Sequence, residues 1–211
     1  MKKFNILVSI LIGVVLTLVG FSEKEELRTL AIGEKAPLLT HKLKTTGGNN
    51  ITLSSLKNKN GYLVIFSCNT CPFVVGGSSF EGWEKDYNDI YNWTLASEVG
   101  MVLVNSNEAK RKEGDSMKDM TTRAAEMGYK MPYALDKNHA LADAFGAKTT
   151  PHVFLFNADD ELIYEGSINN TWNPKMEQVD NLKNALVAVA KGSEIEINKT
   201  APKGCSIKRV N

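Results

Sequence analysis

The chain has 211 residues, and its 25 lysines and arginines almost balance its 24 aspartates and glutamates. A net charge this close to zero gives no support for binding to nucleic acid or to a strongly acidic partner. Three cysteines are too few for a small scaffold held together by disulfides. The composition therefore favours an ordinary globular chain with a single domain.

The first residues have the pattern of an export signal. A basic start, MKK, precedes an uncharged and mostly apolar run over residues 4–21, which is closed by the small residues Gly20 and Ser22. This pattern predicts a secretory signal peptide over residues 1–22. The run is also just long enough to span a bilayer, so an uncleaved anchor remains an alternative. We expect an exported protein, located in the periplasm if the source has an outer membrane.

The rest of the chain is predicted to form a linker over 23–31, one domain over 32–192 and a C-terminal tail over 193–211. Within the domain, strand-like apolar runs alternate with helical patterns. In chain order we predict a strand at 62–66, a helix over about 79–93, a strand at 101–104, a helix from an N-cap at Asp115 to Gly128, an edge-like strand at 132–135, a helix at 140–145, a hairpin of 153–156 with 162–164, and a final helix over 173–192. This order predicts an α/β domain in which helices flank a mixed central sheet, with an N-terminal extension.

The motif Cys68-Asn69-Thr70-Cys71 follows the first buried strand directly and is itself followed by Pro72. A strand that ends in C-x-x-C and opens a helix is typical of redox-active thiols. The positive end of the helix would stabilise a thiolate on Cys68, which we expect to be the exposed, low-pKa nucleophile. Cys71 would then be the covered thiol that resolves a mixed disulfide. Structural zinc is the alternative, but zinc needs four ligands and the sequence has no second C-x-x-C or H-x₃-H motif.

The string FSCNTCPFV at 66–74 resembles the thioredoxin-like redoxin family, which includes thiol–disulfide oxidoreductases and alkyl hydroperoxide reductases. The strings VNSN at 104–107, GAKTTP at 146–151 and GCSIK at 204–208 fit the same exported bacterial branch. The resemblance implies a thioredoxin-like fold and action on protein thiols or disulfides without a cofactor. It also implies an upstream redox partner in the membrane or in the exported compartment.

The pair Thr150-Pro151 corresponds to the cis-proline that faces the active site in thioredoxin-like proteins. The resemblance implies a cis bond here, which is otherwise uncommon. It also places the backbone of Thr150 in a substrate groove, where an extended peptide would pair with it as an added strand. An ordinary edge-strand proline is the alternative.

The chain departs from the family at two points. Thioredoxins carry a tryptophan before the first cysteine and a buried aspartate on the preceding strand, whereas this chain has Ser67 and a strand without acids, so the proton acceptor for Cys71 is unidentified. The peroxidase signature P-x-x-x-T-x-x-C, aligned on Cys68, would need proline at Gly61 and threonine at Ile65. A peroxiredoxin-like thiol peroxidase is therefore the second hypothesis.

Two further residues are candidates for redox or metal chemistry. Cys205, in the short basic tail, is a candidate third redox thiol that would form a disulfide with Cys68 or Cys71; packing as a small hydrophobic residue is the alternative. His152 follows Pro151 and could join a copper site built on the C-x-x-C motif, although a lone histidine is weak evidence for metal. A copper-binding or redox-inactive module is thus the hypothesis from another functional class.

Overall fold

The computed structural model describes residues 27–78 and 80–210. The strands in this part of the chain are β1 Leu43–Thr45, β2 Asn50–Ile51, β3 Tyr62–Ser67, β4 Gly100–Asn105, β5 Tyr133–Leu135, β6 Thr149–Thr150, β7 His152–Phe156, β8 Leu162–Gly166 and β9 Cys205–Ser206. The helices are α1 Leu53–Leu56, α2 Pro72–Val75, α3 Tyr87–Ala96, α4 Met117–Glu126, α5 Ala140–Phe145 and α6 Asn181–Lys191. The predicted signal segment lies outside the described residues.

Seven strands form a mixed sheet in the order β2-β1-β5-β4-β3-β7-β8. The central strand β3 pairs in parallel with β4 and antiparallel with β7. All six residues of β3 are buried, as expected for a continuous apolar strand that is covered on both faces. The predicted α/β domain with a mixed sheet is confirmed.

The two faces of the sheet belong to separate hydrophobic clusters. Because side chains alternate along a strand, Leu63 and Ile65 of β3 face one cluster, while Val64 and Phe66 face the other. The first cluster contains both Cys68 and Cys71. The thiols of the C-x-x-C motif therefore lie on a known face of the sheet.

The apolar strands and the helix that ends at a glycine lie where the sequence predicts them. β3 and β4 cover the two predicted runs, and the hairpin of β7 and β8 lies where it was predicted. Helix α5 spans the predicted residues and ends at Gly146, whose φ of 61° is left-handed and favours glycine.

The helix predicted over 79–93 is wrong at its start. Helix α2 has a single turn and ends at Gly76, where φ is 93°. The chain then turns back so tightly that a Cβ on Gly82 would lie 2.3 Å from the carbonyl oxygen of Val74. A 3-10 turn at Glu84–Asp86 leads into α3 only at Tyr87. The glycines thus separate α2 from α3, and the predicted helix forms only from Tyr87 onward.

Three other expectations need correction. The final helix begins at Asn181 instead of 173, because Asn170 binds the preceding loop through Glu177 and Val179. Ser116, not Asp115, is the N-cap of α4, where it forms a capping box. The strand β5 is not an edge strand, since it lies between β1 and β4.

The C-terminal tail packs against the domain. Its strand β9 pairs antiparallel with β6 in a separate two-stranded sheet, and Ile207 is buried in the second cluster. None of the helices over residues 27–78 and 80–210 is long and apolar enough to cross a bilayer.

Candidate active site

The C-x-x-C segment, residues 68–71, lies at the carboxyl end of β3. Cys68 directly follows the strand, and Cys71 is the N-cap of α2, with Pro72 at the first helical position. Proline is favoured at that position because its missing N–H has no partner in a helix anyway. The helix therefore begins after the second cysteine, not after the first.

Three free thiols meet around Thr150. The sulfur of Cys68 lies 3.1 Å from Thr150 Oγ1, and the Cys71 sulfur lies 3.2 Å from the Thr150 carbonyl oxygen, to which it donates when it is protonated. The backbone N–H of Cys205 donates to Cys71 Sγ over 3.4 Å. The structure thus brings together all three cysteines predicted to take part in redox chemistry.

Hydrogen bonds to the sulfur of Cys71 make it the more acidic thiol. The Cys68 thiol is the largest contributor, the thiol and backbone N–H of Cys205 add to it, and together they hold the pKa of Cys71 well below its ordinary value despite burial. Donation to Cys71, together with burial, raises the pKa of Cys68. These donors therefore favour a thiolate on Cys71 over one on Cys68.

This arrangement corrects the expectation for Cys68. Cys68 is 1% exposed and Cys71 is 2% exposed, so neither thiol of the pair is the exposed nucleophile that the sequence predicted. The helix at the motif has a single turn, and no side-chain hydrogen bond caps its N-terminus. A dipole that short is weak, so neighbouring hydrogen-bond donors and not the helix stabilise the thiolate, and they do so on Cys71.

Asp115 fixes the segment between the two cysteines. Its fully buried carboxylate accepts the backbone N–H of Asn69 over 2.7 Å and the hydroxyl of Thr70 over 2.8 Å. The side-chain amides of Asn105 and Asn107 also donate to it, over 2.7 and 3.1 Å. A buried carboxylate with four donors is satisfied, and it holds residues 69–70 against the loop that follows β4.

The role of Asp115 differs from the sequence prediction, which made this residue the N-cap of α4. A buried acid thus lies beside the motif, but it comes from the residue before the N-cap of α4 and binds residues 69 and 70. The available signal was Ser116 followed by Asp119, a capping box that leaves Asp115 outside the helix.

The bond between Thr150 and Pro151 is cis, as predicted. The edge beside it is not open, because β9 pairs with it in the register Thr150 to Cys205. The strand position that we expected an incoming peptide to take is thus filled by the protein's own tail. A Cβ on Gly204 would lie 2.2 Å from the Thr150 carbonyl oxygen, which shows how closely the two strands approach.

His152 does not reach the thiols. It packs on Phe154, with ring centroids 4.5 Å apart, in the cluster on the other face of the sheet. Its Nε2 lies 2.6 Å from Glu165 Oε1, and its Nδ1 accepts the Lys148 N–H over 3.1 Å. Both ring nitrogens are therefore engaged. Residues 27–78 and 80–210 contain no cluster of three His, Cys, Asp or Glu side chains arranged to hold a metal ion.

Comparison with known proteins gives a consistent picture. The family model described as Redoxin matches residues 31–186. An uncharacterized conserved protein from Geobacillus kaustophilus is similar at 28% identity and a TM-score of 0.76, over 85% of this chain and 93% of that one. No curated protein matches the chain.

Two more distant structures share the fold. The thioredoxin domain of a thiol-disulfide oxidoreductase from Bacteroides vulgatus aligns at 18% identity and a TM-score of 0.53, over 77% of this chain and 99% of that one. Peroxidoxin BcpB from Mycobacterium tuberculosis aligns at 14% identity and a TM-score of 0.54, over 77% and 97%. The predicted thioredoxin-like fold is confirmed.

Proposed function

Because the chain belongs to the redoxin family, we propose that it is a thiol–disulfide oxidoreductase that acts on protein thiols or disulfides through Cys68 and Cys71. The observation that carries this proposal is the set of donors around Cys71 Sγ, namely the Cys68 thiol together with the thiol and backbone N–H of Cys205. A thiolate is the attacking species in disulfide exchange, and these donors favour it on Cys71.

The reaction then runs in two exchanges. The Cys71 thiolate attacks one sulfur of a substrate disulfide, forms a mixed disulfide and releases the other substrate sulfur as a thiolate. Cys68, which already lies within hydrogen-bond reach, gives up its proton and attacks the Cys71 sulfur. The substrate leaves as a dithiol, and the protein holds a Cys68–Cys71 disulfide. The roles of nucleophile and resolving thiol are the reverse of those expected from the sequence.

Export and an upstream redox partner complete the proposal. The signal pattern over residues 1–22 supports an exported protein, and disulfide chemistry fits an oxidising compartment. A redox titration gives the direction of electron flow. A potential of about −270 mV would indicate a reductase, and one of about −120 mV a disulfide-forming oxidant.

The test is insulin reduction by the purified protein without residues 1–22. We expect Cys71→Ser to abolish activity and to trap nothing. Cys68→Ser should lose turnover but accumulate substrate proteins as mixed disulfides on Cys71, because the resolving thiol is gone. The proposal fails if Cys71→Ser keeps full activity, and the roles are reversed if only Cys71→Ser traps substrate.

Thiol peroxidase activity is the second candidate. It is favoured by the strand β9, because the paired edge at Thr150 obstructs a peptide more than it obstructs a small peroxide. The sequence argues against it, since the signature aligned on Cys71 would need threonine at Cys68 and proline at Val64. Peroxide should form sulfenic acid on Cys71 far faster than on a free thiol if this candidate is correct.

A further inference from the structure

The tail places a third thiol at the site and keeps it nearest to solvent. Cys68 and Cys71 are 1% and 2% exposed, whereas Cys205 is only partly buried. Its N–H donates to Cys71 Sγ, and its thiol also lies within hydrogen-bond reach of that sulfur. Of the three cysteines, Cys205 is therefore the one that an external molecule meets first.

The tail is held on both sides of Cys205. Before it, Thr200 accepts the backbone N–H of Ser167 over 2.9 Å. After it, Ile207 is buried, and the Lys208 N–H donates to Asn107 Oδ1 over 2.9 Å. With contacts on both sides, Cys205 is a fixed part of the site and does not belong to a loose end.

We propose that Cys205 is the outward-facing redox thiol of this site, and that a Cys71–Cys205 disulfide is the form that an external reducing thiol attacks. The inference rests on the proposed function, since it needs a disulfide on Cys71. The partner is defined by its chemistry as a thiol, either of low molecular mass or on a protein.

The disulfide reaches Cys205 by internal exchange. After turnover, the Cys205 thiol loses its proton and attacks the Cys71 sulfur of the Cys68–Cys71 disulfide. The Cys71–Cys205 bond forms, the Cys68–Cys71 bond breaks, and Cys68 leaves as a thiolate and takes up a proton. No electrons enter or leave in this step.

Reduction then occurs at the exposed sulfur. An external thiolate attacks Cys205 Sγ, forms a mixed disulfide there and expels Cys71 as a thiolate; a second external thiol reduces the mixed disulfide. Two factors favour attack on Cys205. Cys205 is the more exposed of the two sulfurs, and Cys71 is the better leaving group, because the more acidic thiol leaves faster. Cys71 is the acidic one, whereas burial and the contact with Cys71 raise the pKa of Cys205 to about 11.

Peptide mapping tests the bond. Trypsin should release residues 60–85, which contain Cys68 and Cys71, and residues 204–208, which contain Cys205. In Cys68→Ser protein oxidised with oxidised dithiothreitol, we expect these two peptides to be linked. Cys71→Ser should not link them under the same conditions. If Cys68→Ser yields no link while the wild-type protein still forms Cys68–Cys71 and reduces insulin, the inference is overturned and the proposed function stands. If no disulfide forms on Cys71 at all, both fail.

The site of attack is tested with glutathione. Oxidised Cys68→Ser protein is mixed with glutathione and quenched with iodoacetamide at once. We expect the glutathione adduct on Cys205 and the alkyl group on Cys71. The reverse placement would overturn the proposed direction.

Substitutions at two glycines, Gly204 and Gly47, test whether strand β9 positions Cys205. Neither substitution alters a thiol. Gly204→Ala places a Cβ 2.2 Å from the Thr150 carbonyl oxygen, whereas at Gly47 the nearest atom is 3.4 Å away. In the Cys68→Ser background, Gly204→Ala should slow formation of the Cys71–Cys205 link at least tenfold, and Gly47→Ala should not change it. An equal rate in both variants would show that the β6–β9 pairing does not present Cys205 to Cys71.

Discussion

The C-x-x-C segment contains the sulfur of Cys71, and the C-terminal tail contacts the same sulfur. The two regions are fixed to the rest of the protein in different ways. One buried carboxylate, that of Asp115, binds residues 69 and 70, Asn105 at the end of β4 and Asn107 in the loop that follows. The tail has no such centre, because its contacts are spread over residues 200–209. We therefore expect one substitution, at Asp115, to destabilise the segment strongly, whereas a single substitution in the tail should remove only part of its contacts.

The largest effect should follow from Asp115→Ala. The change leaves four donors without their acceptor, and two of them, the side-chain amides of Asn105 and Asn107, are buried. Each unsatisfied buried group costs about 1–3 kcal/mol. We expect a loss of about 3 kcal/mol or more in the free energy of unfolding, measured with urea at pH 7. Asp89→Ala, which alters an exposed acid of α3, is the control and should cost less than about 1 kcal/mol. A small effect at Asp115 would mean that the segment is not held by this carboxylate.

Ile207→Ala should have the next largest effect, confined to the tail. The side chain is 5% exposed and packs in the second cluster, and truncation of a buried isoleucine costs about 2–5 kcal/mol. We expect faster hydrogen exchange at the N–H groups of Cys205 and Ile207 while β3 stays protected. Ile197→Ala, at a half-exposed position of the same segment, should leave exchange unchanged. Equal exchange in both variants would contradict this anchoring.

A third test compares the two donors to Cys71. The thiolate absorbance of the reduced protein should titrate with a midpoint at a pH of about 5, the pKa of Cys71. Cys68→Ala removes the largest donor and should raise that pKa. Cys205→Ala keeps the backbone N–H and should raise it less. A larger shift in Cys205→Ala would show that the tail, and not the segment, sets the charge.

The same group links stability to pH. The pKa of Cys71 is lower in the folded chain than in the unfolded one, so the thiolate stabilises the reduced fold fully above the unfolded pKa, and this is lost as the pH falls through about 5. The reduced protein should therefore gain stability relative to Cys71→Ser between about pH 5 and pH 8.5. Equal pH dependence of the two proteins would contradict a thiolate on Cys71.

The sequence predicts the features that depend on residues close together in the chain, and it does not predict those that depend on residues far apart. The apolar runs of β3 and β4 and the glycine end of α5 are local signals, and all three were predicted. The N-cap at Cys71 could also have been predicted, since proline at the first helical position is a local preference. The C-x-x-C motif was instead interpreted as placing Cys68 at the start of the helix. The pairing of Cys205 with Thr150 joins residues far apart in the chain, and no local pattern in a two-residue strand reveals its partner.

The smallest effect should come from Lys203. Its ammonium group lies 4.6 Å from the ring centre of Trp172 and 5.5 Å from that of Phe73, which is on α2. The tail is thus joined to the helix of the active site two residues before Cys205. Cation–π contacts at exposed positions are worth about 0.5–1 kcal/mol, so Lys203→Met should slow formation of the Cys71–Cys205 link only about two- to fivefold. Lys203→Arg retains a cation and should restore the rate, whereas equal slowing in both would mean that packing, not charge, makes the contact.

Because the remaining anchors are independent of this one, adding Ile207→Ala to Lys203→Met should lower the rate by the product of the two separate factors.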